Sequence, residues 1–145
     1  MDLTYCEGMK EPTNVFLCYS HVDYNAVRSL YTRLQRDRIA VWLDKVDLSP
    51  GQDWVRVIRD AILQSDMVLI CLSKEFNKQR GYRHQELKIA LRKARSLCED
   101  EVFIIPIRLE ECEMPESLRH LHRLDLFERG GYGNLIRALK GSESK

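Results

Sequence analysis

One acidic side chain stands apart by its position on a predicted helix. Glu86 follows Tyr82 by four residues, so the two side chains lie one above the other on the same helix face. With Leu87 at the centre of the apolar stripe, Glu86 falls about 100° to one side and borders the buried face. A partly desolvated carboxylate beside an aromatic ring is a candidate for chemistry. The alternative is a surface glutamate that stabilises the helix N-terminus and pairs with Arg83 or Lys88.

Three common classes of α/β site are absent from the sequence. A dinucleotide-binding enzyme carries Gly-x-Gly-x-x-Gly after its first strand, whereas residues 19–23 read Tyr-Ser-His-Val-Asp. No phosphate-binding Gly-x-x-x-x-Gly-Lys-Ser/Thr loop occurs. The acidic residues of a phospho-accepting response regulator are replaced by Ser20-His21 and Cys71-Leu72-Ser73. The glycine cluster at 130–133 follows the last candidate strand, and we interpret it as a loop before the final helix.

The histidines and cysteines match no metal site of known spacing. His120 and His122 would share one face of an extended segment, with His84 or Cys112 as further candidate ligands. No zinc-type spacing of these residues is present, so we predict no metal. The five cysteines include no Cys-x-x-Cys pair, and two of them lie within apolar runs. Free thiols and a reducing, cytoplasmic location are therefore predicted.

Apolar runs and helical periodicity alternate along the chain. Short apolar runs predict five strands, at residues 15–19, 39–43, 67–72, 102–107 and 122–127. Apolar residues at helical spacing predict helices from Tyr24, from Asp53, around Leu87 and over 134–140, while residues 44–52 and 73–80 are polar connections. Pro106 is expected near a strand end or a sheet edge. This order indicates a parallel sheet with helices on both faces, in which ligands bind beyond the carboxyl ends of the strands.

The composition is typical of one compact domain. The chain has 145 residues, of which 44% are hydrophobic and 31% charged, and its net charge is +1. A domain of this size buries roughly 70% of the surface of its unfolded chain. The balanced charge disfavours nucleic acid as a partner. No apolar run approaches the ~20 residues that cross a bilayer, and the acidic N-terminus does not resemble a signal peptide. We therefore expect no nucleic-acid and no membrane partner.

Several segments, in order, resemble the signature boxes of TIR (Toll/interleukin-1 receptor) domains. Residues 15–23 (VFLCYSHVD) resemble the first box, and residues 41–44 (VWLD) with 48–54 (LSPGQDW) resemble the second strand and the following BB loop. Residues 69–73 (LICLS), followed by Tyr82-x-x-x-Glu86-Leu87, resemble the third strand and catalytic helix of bacterial-type members. The resemblance implies a TIR domain over 14–140, between an extension at 1–13 and a tail at 141–145, with a flavodoxin-like five-stranded parallel sheet.

The resemblance also implies an activity. Many TIR domains of this type cleave NAD⁺ to nicotinamide and ADP-ribose or a cyclic isomer, with the glutamate that matches Glu86 as the catalytic residue. NAD⁺ would be the substrate, no cofactor would be needed, and other TIR protomers would be partners in an active homo-oligomer or filament. The setting would be immune or antiphage signalling. Tyr82 stands where the family usually has Trp, which reduces the area available for stacking.

That activity is chemically reasonable for a single carboxylate. Most glycosidases use two carboxyl groups because the leaving oxygen must be protonated. Nicotinamide leaves NAD⁺ as a neutral base, so no general acid is required. One anionic carboxylate near the ribose can stabilise the developing oxocarbenium ion. The rival hypothesis is a non-enzymatic adaptor that acts by homotypic TIR–TIR association.

Further site residues carry over from the family. The substrate-binding assignments are Tyr19, Ser20, His21, Asp44, Ser73 and Tyr82, and those of the BB loop and assembly are Leu48, Pro50, Gly51 and Asp53. From the residues alone, His21 is equally a solvated loop histidine, and Ser73 is equally a cap of the next turn. Ser20 and Asp23 are predicted to form a capping box, and Arg92-Lys93-x-Arg95 a solvated helix face.

Overall fold

The structure is a computed structural model that describes residues 14–43, 51, 53–78, 82–97 and 101–140. For residues 54, 55 and 82–85 only the backbone is described. Within these ranges, no helix has the length and apolar character that crossing a membrane requires.

Five parallel strands form one sheet in the order β2-β1-β3-β4-β5. The strands are β1 (Asn14–Cys18), β2 (Ala40–Trp42), β3 (Met67–Leu72), β4 (Ile104–Arg108) and β5 (Leu124–Asp125). Each predicted strand is present, and the predicted flavodoxin-like sheet is confirmed. The strand order reverses between β1 and β3, and the crevice beyond the carboxyl ends of these two strands is where such sheets bind ligands.

In the part of the chain that the structure describes, five helices flank the sheet. They are α1 (Tyr24–Arg36), α2 (Trp54–Gln64), α3 (Lys74–Lys78), α4 (Tyr82–Arg95) and α5 (Gly131–Lys140), and short 3-10 turns occur at His21–Asp23 and Glu116–Leu118. The short helix α3 lies in a segment that we expected to be a polar connection, because apolar periodicity cannot reveal a helix of a single turn or so. Its N-terminal cap is described with the site below.

The glycine cluster before the last helix is the other difference from the expected elements. The prediction of a loop over 130–133 is wrong for its last three residues, since α5 already begins at Gly131. Gly130 makes the preceding turn with a φ of +79°. A Cβ on Gly131 would lie 2.5 Å from the carbonyl oxygen of Asp125. Glycine at 131 therefore allows α5 to begin directly against the end of β5.

The two faces of the sheet bury two separate cores. Side chains alternate along β1, so that Val15 and Leu17 face one core while Phe16 and Cys18 face the other. The first core also takes buried residues of α1 and α5, and the second takes those of α2, α3 and α4. Trp42 stacks on Phe16 with a centroid distance of 5.2 Å and is partly buried against the second core.

Pro106 lies inside β4 without removing a sheet hydrogen bond. The N–H of Leu109 donates to Leu72 of β3 at 2.8 Å, so by alternation the nitrogen of residue 106 faces the β5 side. β5 pairs only with Ile107 and Arg108. At position 106 the β5 side is therefore locally an edge, as the sequence led us to expect.

Candidate functional site

Two buried serines follow the strands that border the crevice. Ser20 comes after β1 and Ser73 after β3, and both are almost wholly inaccessible to solvent. Ser20 Oγ accepts a hydrogen bond from the N–H of Val22 at 3.4 Å. Ser73 Oγ accepts one from the N–H of Phe76 at 3.0 Å and donates one to the carboxylate of Asp23. The capping role considered for Ser73 is thus confirmed, since it caps α3, and a contact of Ser73 with ribose stays a prediction.

Asp23 joins the two strand ends, a role that its local sequence did not indicate. Its carboxylate makes no capping hydrogen bond to α1. Ser20 caps the 3-10 turn through the N–H of Val22, and the reciprocal bond of the predicted capping box stays a prediction. The Asp23 side chain instead accepts the hydrogen bond of Ser73, fifty residues along the chain. The sequence indicates part of this arrangement, because residues that follow adjacent parallel strands meet at one edge of a sheet. It does not indicate which strands are adjacent.

The thiols near this edge are inert core residues. Burial, with a smaller contribution from the Asp23 carboxylate, raises the pKa of Cys71 to about 12. That thiol therefore stays protonated at neutral pH and cannot act as a nucleophile. Cys18 is also buried, and both side chains pack as small apolar groups, as predicted.

The two aromatic residues assigned to the first strand's end differ in exposure. Tyr19 is wholly buried, and its ring lies 6.2 Å, centroid to centroid, from the rings of both His21 and Tyr24. His21 is exposed at the start of the 3-10 turn. The assignment of both residues to a nucleotide pocket stays a prediction, and for Tyr19 it requires neighbouring side chains to move.

Glu86 is more deeply buried than its helical phase alone suggested. Only 2% of its surface is exposed, and the alternative of an ordinary surface glutamate is therefore wrong. The residue lies in the second turn of α4, a helix that contacts α2, β1 and β4. Leu87 and Ala90, its neighbours on the buried side of α4, belong to the second core. A carboxylate this deeply buried on α4, which packs against β1, has the desolvation expected of a functional group.

The remaining predicted positions are only partly within the described chain. The side chain of Tyr82 and residues Asp44, Leu48 and Pro50 lie outside it. Gly51 is exposed and has a φ of +87°, a left-handed conformation that favours glycine. Asp53 is exposed immediately before α2 and makes no side-chain cap hydrogen bond.

Lys93 ties α4 to the end of α2. Its Nζ donates to the carbonyl oxygens of Leu63 at 2.5 Å and Ser65 at 2.9 Å, and lies 4.5 Å from the ring centroid of Phe103. An ammonium at this position satisfies carbonyls that the helix leaves unpaired and complements its dipole. The prediction of a solvated face is wrong for Lys93, although its basic neighbours in the same run are exposed as expected.

A bidentate ion pair joins the ends of β4 and β5. Arg108 donates to Asp125 through Nε at 2.7 Å and through Nη2 at 2.9 Å, and its Nη1 donates to the carbonyl of Cys112 at 2.8 Å. Arg123 contacts the same carboxylate at 3.1 Å. The hydrogen bonds from Arg108, above all, hold the pKa of Asp125 below its usual range.

The described residues contain no cluster of candidate metal ligands. In the part of the chain that the structure describes, no three His, Cys, Asp or Glu side chains are grouped to hold a metal ion. His120 and His122 line different clefts. The absence of a metal in the working protein stays a prediction.

The five parallel strands in the order β2-β1-β3-β4-β5, with helices on both faces, define a flavodoxin-like α/β fold. The family model for the TIR domain matches residues 15–139, almost the whole chain. The chain therefore belongs to the TIR domain family, as the sequence resemblance implied.

Similar proteins span animals and bacteria. The TIR domain of the Toll-related receptor TRR-2 from Hydra magnipapillata is 27% identical, with a TM-score of 0.73, over 88% of this chain and 98% of that one. A protein of Sinorhizobium fredii named uncharacterized protein y4cD is 26% identical over 129 residues. That match covers 89% of this chain but only 20% of the rhizobial protein, so the chain spans a fifth of the length of that curated relative.

Two further solved structures share the fold at lower identity. A prokaryotic SEFIR domain is 19% identical with a TM-score of 0.60, over 88% of this chain and 92% of that one. The TIR domains in the activated Roq1 resistosome, which directly recognizes the pathogen effector XopQ, are 18% identical with a TM-score of 0.61. The alignment covers 92% of this chain and 74% of that one. At these identities the likeness shows the fold alone.

Proposed function

We propose that this TIR domain cleaves NAD⁺ at the bond between nicotinamide and ribose, giving nicotinamide and ADP-ribose or a cyclic isomer. The observation that supports the proposal is the burial of Glu86 at 2% exposure on α4. In a site of low dielectric constant, a fixed carboxylate interacts with developing positive charge far more strongly than it does in water.

The reaction requires little besides the negative charge of the Glu86 carboxylate. As the glycosidic C–N bond breaks, its electron pair moves to the nicotinamide nitrogen, which becomes neutral, and positive charge develops on the ribose. The Glu86 carboxylate stabilises this oxocarbenium-like centre. Water then attacks this carbon and releases a proton to solvent, which gives ADP-ribose, or a nucleophile within the same molecule attacks to give a cyclic product. NAD⁺ is consumed as a substrate, and no cofactor takes part.

The substrate would lie in the crevice beyond β1 and β3. We assign its contacts to residues at the ends of these strands, in the BB loop and on α4, namely Tyr19, Ser20, His21, Asp44, Ser73 and Tyr82. The hydrogen bonds that join Asp23, Ser73 and Phe76 support this assignment, because they brace the two strand ends that form the crevice. Besides its proposed contact with the substrate, Ser73 positions α3 by capping it.

Activity is proposed to depend on self-association, through Leu48, Pro50, Gly51 and Asp53 of the BB loop. The exposure of Gly51 and Asp53 supports this, because both residues are accessible to a second protomer. The likeness to the TIR domain of a Toll-related receptor, at 27% identity, supports a role in immune or antiphage signalling. We propose a cytoplasmic location for the domain.

The decisive experiment compares Glu86→Gln with Glu128→Gln, which makes the same charge change at an exposed position. Nicotinamide release is measured by chromatography, and turnover of an etheno-NAD analogue by fluorescence, in concentrated, assembled samples. Loss of a group that stabilises charge in the transition state costs about 10²- to 10³-fold in rate. We expect a loss of that size for Glu86→Gln alone. Release at the wild-type rate in Glu86→Gln would exclude the carboxylate mechanism.

A dilution series tests the link with assembly. Specific activity should rise steeply with protein concentration or with enforced oligomerisation. A constant specific activity, with monomers throughout by light scattering, would contradict the proposal.

The second candidate is an adaptor that signals by TIR–TIR association without catalysis. The observation in its favour is the likeness to a receptor TIR domain, which extends over 98% of that domain. If no assembled state of the wild-type protein releases nicotinamide while the protein still self-associates, the adaptor function is the correct one.

A further inference from the structure

A polar cleft opens in the connection that leads into β5. It has a volume of about 680 Å³ and is lined by Met114, Arg119, Leu121, His122, Arg123 and Asp125. Three of these six side chains are basic and exposed, and they come from the short sequence Arg119-His120-Leu121-His122-Arg123. From the sequence, the two histidines of this motif were candidate metal ligands.

Among the described residues, each of the two arginines is held at the cleft by a hydrogen bond from its Nε nitrogen. Arg119 Nε donates to the carbonyl of Met114 at 3.1 Å, and Arg123 Nε donates to the carboxylate of Asp125 at 3.1 Å. This leaves the terminal Nη nitrogens of both guanidinium groups for a ligand. Because each side chain is already tethered, less rotamer freedom is lost when an anion binds.

The single acid of the cleft does not cancel this charge. Asp125 is engaged by Arg108, which donates two hydrogen bonds to it from the buried side. Counting these two as a neutral pair, Arg119 and Arg123 remain as surplus positive charge beside His122. The glutamates that precede the motif include Glu113 and Glu116, which line a neighbouring cleft and not this one.

We propose that this cleft binds a phosphate group, either free or carried as a monoester by a small molecule. Guanidinium groups form forked hydrogen bonds with phosphate oxygens. A tetrahedral phosphate offers oxygens in several directions, so it can meet two guanidinium groups and an imidazole together. A planar carboxylate offers only two oxygens. The site is separate from the crevice assigned to NAD⁺ and does not depend on catalysis there.

Binding is tested by NMR titration of the isotope-labelled protein with inorganic phosphate at constant pH and ionic strength. The side-chain resonances of Arg119 Nε–Hε and His122 Cε1–Hε1 report on the cleft. Methyl phosphate in a second titration distinguishes an esterified phosphate from the free ion, and malonate serves as a dicarboxylate of similar charge. Arg119→Gln is compared with Arg28→Gln, an equal change of charge on an exposed face of α1.

We expect saturable shifts at the cleft with phosphate, and affinity that falls roughly tenfold in Arg119→Gln but hardly changes in Arg28→Gln. Arg123→Gln should also weaken binding, and it guards against a local rearrangement specific to position 119. Equal weakening by the Arg28 variant would mean that only net charge matters, and would overturn the proposal. So would malonate binding as tightly as phosphate, or the absence of saturable shifts at the cleft with either phosphate probe.

Discussion

Removal of the Asp125 carboxylate tests whether the pair at the ends of β4 and β5 stabilises the fold. Arg108 is 6% exposed, and in Asp125→Asn its guanidinium would face an amide instead of a carboxylate. Breaking a buried pair costs about 3–5 kcal/mol. The side chain of Asp125 is 19% exposed, and asparagine retains one acceptor. We therefore expect the free energy of unfolding to fall by about 2–3 kcal/mol. For a domain of this size, that lowers Tm by roughly 4–12 °C.

The stability conferred by this pair should also depend on pH in a defined direction. The hydrogen bonds from Arg108 hold the pKa of Asp125 below its usual range, so the native state favours the ionised carboxyl more than the unfolded state does. The stabilisation is therefore complete above the unfolded pKa, about 3.9, and is lost as the pH falls through the lower native pKa. The difference between wild type and Asp125→Asn should be full at neutral pH and shrink below about pH 4.

Urea unfolding followed by circular dichroism, at a series of pH values, measures both effects. Arg123→Gln is the matched control, since it removes a partner of the same carboxylate whose side chain is 46% exposed. Such an exposed pair contributes less than about 1 kcal/mol. Equal losses in the two variants, or a difference between Asp125→Asn and wild type that does not change with pH, would refute the reasoning.

Three further substitutions are checked by the same unfolding measurement. Gly131→Ala should lower the free energy of unfolding by about 2 kcal/mol or more, because the new Cβ would lie 2.5 Å from a carbonyl oxygen. Gly133→Ala, with open space around the new Cβ, should be neutral or stabilise by up to ~1 kcal/mol. Lys93→Met should cost about 1–2 kcal/mol through the lost carbonyl contacts, with little change in Arg92→Met. Ser73→Ala should cost about 1–3 kcal/mol, because it removes both the α3 cap and a hydrogen bond to a carboxylate. Reversed rank within either pair, or an unchanged midpoint for Ser73→Ala, would contradict these assignments.

The sequence predicted some residues of the candidate site more completely than others. Helical phase placed Glu86 at the border of the buried stripe, and the structure adds that it is 2% exposed. Phase describes one helix in isolation, whereas burial depends on what packs against it, here α2, β1 and β4. The link between Asp23 and Ser73 needed the strand order, which no local pattern contains.

Predictions made from neighbouring residues in the sequence were wrong where a side chain contacts a partner far away in the chain. Lys93 looks like part of a solvated basic run because its sequence neighbours are charged. Its ammonium instead meets the end of α2, about thirty residues earlier in the chain. The same holds for the histidines of the 119–123 motif, which a spacing argument puts on one face and the structure divides between two clefts.

The sequence by itself determined the α/β class, the five strands, the four longer helices and the family, because side-chain periodicity and ordered motifs are properties of consecutive residues. Only the tertiary structure decided the strand order, the depth of Glu86, the brace between Asp23 and Ser73 and the placement of arginines around one cleft. These features bring together residues far apart in the chain. Their energies depend on packing and desolvation that arise only once the sheet and its helices are assembled.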